Sequence, residues 1–161
     1  MMMAAAPPPP SPPHEVSELR VSPLTPPPNL VASYPTEGEA VPPGVLILKL
    51  TFDQRMTATG FDITAATGAE APSCVKTPRL LNDGKTFVLL CTALPGRSYE
   101  LAFNAQPDAE GGFQNLSERR ARPVTLSFKT TAGEPIRSLE EAMRRQNLTR
   151  LEVPIQESPR R

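Results

Sequence analysis

Proline decides how much of this chain can pack. Ten of its 21 prolines precede Asn29. Each fixes φ and removes a backbone donor, so Pro7 to Pro10, Pro12, Pro13 and Pro26 to Pro28 impose an extended polyproline II course. Residues 1–28 therefore read as a disordered, proline-rich leader. Within it only Glu15 to Val21 (EVSELRV) carries strand-compatible apolar residues, Val16, Leu19 and Val21. They allow a short linear motif or an added edge strand, with a plain spacer as the alternative. Setting the leader and a charged tail (133–161) aside leaves 29–132, roughly 100 residues, the size at which one β-sandwich buries a self-sufficient core.

That middle segment is written in strand periodicity. Leu30, Ala32 and Tyr34 alternate with Val31 and Ser33 before Pro35 and Gly38 close the segment. Leu46, Leu48, Leu50 and Phe52 alternate with Val45, Ile47, Lys49 and Thr51, an apolar pattern dense enough to predict a central strand half covered on its second side. Phe61 and Ile63 mark a short strand, and Val124, Leu126 and Phe128 the last. Between them, Cys74 to Phe103 reads as a three-stranded antiparallel meander. Asn82, Asp83 and Gly84 form its first turn, Phe87, Leu89 and Cys91 share a face, Leu94, Pro95 and Gly96 form the second turn, and Tyr99, Leu101 and Phe103 share a face. The prediction is an all-β antiparallel sandwich of about seven strands with Leu46, Leu48, Leu50, Phe87, Leu89, Tyr99, Leu101, Phe103, Leu126 and Phe128 inside.

The tail changes period. Ser138 and Glu141 make a capping box, Leu139, Ala142, Met143 and Gln146 share a helical face, Arg144 and Arg145 suit the negative end of the dipole, and Asn147 ends a helix of about ten residues. Isolated helices shorter than roughly 12 to 15 residues are marginal, so this one needs a surface to lean on. Leu139, Met143, Leu148 and Leu151 are the candidate partner-docking residues, with Val153 and Ile155 extending the apolar spacing.

The two cysteines, Cys74 and Cys91, lie within one predicted hairpin. A type I turn at Asn82 and Asp83 with Gly84 left-handed sets Val75 opposite Cys91, and a two-residue turn leaves the cysteines diagonal, about 7 to 8 Å apart. A bulge at Pro78 brings them face to face, and a disulfide is the preferred reading. Two buried free thiols, or a redox pair lacking a CxxC motif, are the alternatives.

Leu30 to Thr131 resembles the bacterial Ig-like domain of the SbsA, S-layer protein type. The matching phrases, in order, are Ser33, Tyr34, Pro35 and Gly38; Phe52 to Met56; Leu94, Pro95, Gly96 and Tyr99; and Phe128, Lys129 and Thr130. The acidic residue, glycine and asparagine usual before the last strand are here spread over Asp108, Gly111 and Asn115. The resemblance implies an exported, non-catalytic envelope module with a structural or adhesive role.

Candidate chemistry is sparse. The single histidine, His14, lies in the leader, so no Ser, His, Asp triad assembles inside the domain, and no zinc or phosphate-loop motif occurs. Asp53, Asp62, Asp83 and Asp108 all sit at predicted turns, where Asp serves the backbone. Without Trp there is no platform to stack a sugar against a carboxylate pair. Asp108 and Glu110 in a glycine loop could ligate calcium, although a solvated loop explains them more simply. With 17 basic and 17 acidic side chains, nothing draws in nucleic acid. No apolar run approaches the roughly 20 residues of a membrane span.

No cofactor is expected. The partner is expected to be a protein of the cell envelope, in a periplasmic or secreted setting. The N-terminus lacks the charged and apolar regions of a signal peptide, while Ala4 to Ala6 ahead of the prolines looks like the small-residue end of a cleavage region. An export signal outside this sequence is therefore the expectation. The alternative function is a periplasmic binder of a small anionic ligand, using the 107–122 loop with Arg119 and Arg120.

Overall fold

The computed structural model describes residues 25–106 and 111–152. Nine strands form two sheets: β1 (Leu30–Tyr34), β2 (Ala40–Val41), β3 (Gly44–Phe52), β4 (Ile63–Ala65), β5 (Ser73–Cys74), β6 (Arg79–Leu80), β7 (Thr86–Ala93), β8 (Ser98–Phe103) and β9 (Val124–Thr130). One sheet runs β1-β3-β7-β5, with β6 also on β7; the other runs β2-β9-β8-β4. The fold is an all-β sandwich, with one short helix among the described residues, α1 (Leu139–Arg145), followed by a 3₁₀ turn (Arg150–Glu152).

All ten residues predicted inside belong to one buried cluster between the sheets. Burying a leucine or phenylalanine contributes about 1.5–3 kcal/mol, and alternation along β3, β7, β8 and β9 delivers these side chains to the same layer. The meander needs correction. β7 and β8 do not pair, because β3 holds one edge of β7 and the β5 and β6 stubs hold the other. The Leu94–Gly96 turn instead carries the chain across to the second sheet, where β8 pairs with β4 and β9. The parallel pairing of β2 with β9 was also unforeseen, since two residues carry no periodicity.

The second face of β3 shows why the tail belongs to the domain. Ile47 and Val88 are fully buried on the outer side of their sheet, beneath Ile136 and Ala142, with Leu139, Met143 and Leu148 partly buried around them. Ser138 accepts the Glu141 amide, and the Glu141 carboxylate accepts the Arg137 amide, one residue before the predicted cap. Asn147 stops the helix with φ 57°.

The same segment completes the sheet edge. β1 pairs with β3 only from Phe52 back to Lys49, which leaves the outward backbone groups of Val45 and Ile47 without a strand. Ile136 accepts from the Val45 amide at 2.9 Å and donates to the Pro43 carbonyl at 2.8 Å. The carboxamide of buried Gln146 accepts from the Ile47 amide at 3.2 Å and donates to the Val45 carbonyl at 3.3 Å. One side chain thus replaces a peptide group. Gly44, at φ 96°, permits this approach, because a Cβ there would overlap the Ile136 carbonyl. An ion pair between Lys49 on β3 and Glu152 holds the far end of the segment.

Replacing Gln146 with Leu keeps the bulk but strands two backbone groups, each costing about 1–3 kcal/mol when left unpaired. The expected result is a lower urea midpoint together with faster hydrogen exchange at the Ile47 amide. Unchanged exchange there would refute the clamp.

Candidate functional site

The loop proposed for ligand binding springs from the end of β8. Asn104, buried and left-handed at φ 57°, donates through Nδ2 to the carbonyls of Phe113 and Ala121, both at 2.9 Å, and accepts the Phe113 amide on Oδ1 at 2.8 Å. Its carboxamide ties the two arms of the loop together. Gly112, at φ 82°, passes so close that a Cβ would lie 2.6 Å from that oxygen. Phe113, 0% exposed, is driven into the end of the sandwich, its ring 5.2 Å from Phe52, 5.0 Å from Phe87 and 6.3 Å from Phe103 between centroids.

A second asparagine shapes the tip. Asn115 Oδ1 accepts the amides of Ser117 and Arg119, both at 2.9 Å, while Nδ2 donates to Gln54 Oε1 at 2.7 Å and to the Thr25 hydroxyl at 2.9 Å. Gln54 in turn donates to the Pro26 carbonyl, and the Arg122 amide to that of Pro28. The described end of the leader is therefore fastened to this loop rather than free of the domain. Arg120, one of the two candidate anion-binding arginines, donates to the carbonyls of Gly111 and Gln106 and lies 3.9 Å from the Asp62 carboxylate. Arg119 and Arg122 are exposed. Asp108 and Glu110, the calcium candidates, and His14 lie outside the described residues.

The cysteines are joined in a disulfide and sit directly opposite each other on β5 and β7. The register differs from the simple hairpin twice. Leu81 closes on Thr86 rather than on Lys85, which lengthens the turn. Between Val75 opposite Leu90 and Arg79 opposite Val88 the first strand then spends four residues against two, so the irregularity spans Lys76 to Pro78, where the bulge was expected. Beside Cys74, a cleft of about 280 Å³ opens between the β4 and β5 edges, lined by Phe61, Ile63, Ala71, Val75, Leu89 and Leu101.

The other carboxylates serve turns. The Asn29 amide, donating to Asp53, holds that carboxyl below its usual range. At Asp83 partial burial pushes upward, but hydrogen bonds from the Lys85 and Thr86 amides and the Thr86 hydroxyl outweigh it. At Glu152 burial is likewise outweighed by Lys49 and the Thr149 amide. Among the described residues no three His, Cys, Asp or Glu side chains converge as a metal site, and no helix is long and apolar enough to cross a membrane. Of the candidate docking residues, Leu139, Met143 and Leu148 pack on the chain's own sheet; the side chain of Leu151 lies outside the description.

No family model matches the chain, and no curated protein does. Among solved structures, the crystal structure of the S-layer protein rSbsC(31-844) is similar over 67% of this chain and 14% of its own, at 17% identity and a TM-score of 0.44. A structure of surface layer protein SbsC, domains 1–6, is similar over the same shares at 17% identity and a TM-score of 0.43. The chain thus spans about a seventh of the length of either.

Truncating Phe113 to Ala is expected to cost about 3–5 kcal/mol, the range for a buried aromatic, read as a lowered denaturation midpoint; a surface-like change below 1 kcal/mol would show that the plug is dispensable. A second expectation concerns acid. Asp53, Asp83 and Glu152 have folded-state values below their unfolded ones, so their contribution is complete above the unfolded carboxylate pKa, about 4, and is lost as pH falls through the folded values. Urea midpoints between pH 7 and pH 3 should fall on acidification, less steeply in Asp83→Asn; an unaltered slope in that variant would contradict the assignment.

Proposed function

We propose that this chain is an exported, non-catalytic Ig-like module with a structural or protein-binding role in the bacterial cell envelope, related to the SbsA-type domains through the residue phrases around Tyr34, Phe52, Leu94 and Phe128. The proline leader acts as spacer or tether, and the partner is a protein of the envelope. The observation that carries the compartment is the Cys74–Cys91 disulfide, since such a bond persists in oxidising compartments and is rare in a reducing cytosol. The choice of module over small-ligand binder is supported by how the described loop residues are spent: Phe113 plugs the core, Asn104 and Asn115 hold backbone groups, and Arg120 is tied to the loop's own carbonyls.

The bond closes a sequence separation of 17 residues, for which the chain-entropy model gives about 3 kcal/mol. Protein isolated from envelope fractions of its native host should take up no alkylating agent until reduced, by intact mass, and should melt lower after reduction. Two alkylated cysteines without prior reduction, in protein recovered from the cytosolic fraction, would overturn the exported reading.

A further inference from the structure

The core between the sheets is complete without the tail. Among the described residues, that buried cluster holds nothing beyond Phe128, whereas Ile136, Leu139, Ala142, Met143 and Leu148 belong to the second cluster, on the outer face of β3 and β7. The sandwich and the segment from Ile136 to Glu152 are thus two bodies with one interface between them. Its polar part is equally self-contained: the bonds of Ile136 and Gln146 to the edge of β3, and the ion pair of Lys49 with Glu152.

Four residues join the two bodies. Thr131 is still held by the sandwich, its amide on the Val41 carbonyl at 2.9 Å and its carbonyl taking the Gly96 amide at 3.1 Å, and Ile136 is already seated on β3. Between them, no hydrogen bond among the described residues ties Ala132, Gly133, Glu134 or Pro135 to the sandwich, and the first three are exposed. Extended, this connection reaches roughly 17 Å. The seat is also incompletely filled at this end, where a cleft of about 310 Å³ lies among Val45, Leu90, Thr92, Arg137 and Leu139.

Neither body suits water when parted from the other. β3 then shows unpaired groups at Val45 and Ile47 beside the apolar Ile47 and Val88, an open edge that templates pairing with another chain, and α1 is too short to persist alone. The tail of a second copy carries every contact that restores both. We propose that this segment is exchanged between copies, each Ile136–Glu152 segment seated on the β3 edge of the other, so that Gln146 of one chain completes the Val45 and Ile47 peptides of its neighbour. The exchange loses no contact, because the interface is the same within a chain and between chains. It gives up only the linker, which keeps a tail near its own seat at an effective concentration on the order of millimolar, so exchanged dimers form where chains fold together at comparable concentration.

The test refolds oxidised, full-length protein from urea at a concentration on the order of millimolar, as an equal mixture of isotope-labelled and unlabelled chains, and separates the products by size. The expected result is a species of twice the monomer mass by light scattering, absent after refolding in dilute solution, in which isotope-filtered NMR shows the Ile47 methyls of one chain against the Ala142 methyl of the other. Monomer alone at the higher concentration would overturn the proposal. So would a dimer whose contacts between Ile47 and Ala142 all lie within one chain, since the copies would then meet through another surface. Either failure leaves the export reading standing, because that rests on the thiols.

Discussion

A buried strand cannot leave its backbone groups unpaired, and in this domain that requirement falls hardest on β3. It lies at the centre of the larger sheet, with β7 along its whole length on one side. On the other side β1 stops at Tyr34, and the remaining donors and acceptors are met by Ile136 and Gln146. The rest of the tail follows from this. Once Ile136 is bound at the edge and Gln146 beneath it, the intervening helix has only the Ile47 and Val88 face to lie on, and a helix too short to persist alone acquires its support. What looks in sequence like an appendage for a partner is spent largely on the chain's own sheet.

The parts legible in the sequence are those written in repeated residues. Alternation along β3, β7, β8 and β9 is carried by three or four side chains each, and every one of these strands was assigned with the correct inner face. The polar residues that organise the fold were not visible in this way. Gln146, Asn104 and Asn115 act singly, through carboxamides that can be donor and acceptor at once, and one amide in a chain leaves no pattern. Two of them carry a fainter signal: Gln146 falls on the helical face of Leu139, Ala142 and Met143, and Asn115 stands before the last strand, where the resembling phrase has an asparagine. The path from β7 to β8 was misread for a related reason. A Leu-Pro-Gly turn is compatible with a hairpin or an arch between sheets, and the choice was made by β5 and β6 occupying the edge that β8 would have taken.

The cysteine pair was partly legible. Register arithmetic located the irregularity near Pro78, but it assumed a shorter turn at Asp83. The two errors in count cancel, which is why the cysteines still meet. The loop after β8 was the larger surprise. Its glycines and charges suggest a mobile binding segment, whereas the described part is a stopper: Phe113 fills the space among three other phenylalanines, and Asn104 locks both arms behind it.

The clamp on β3 also sets an order of assembly. Ile47 and its partner Gln146 are 99 residues apart. At synthesis rates of about 5–20 residues per second, β3 emerges some 5–20 s before the side chain that completes its edge. A chain delivered from its N-terminus therefore holds this strand with half an edge open until Gln146 arrives. Completion of the native sheet waits on Gln146, so the two halves of this edge are joined only across most of the domain's length.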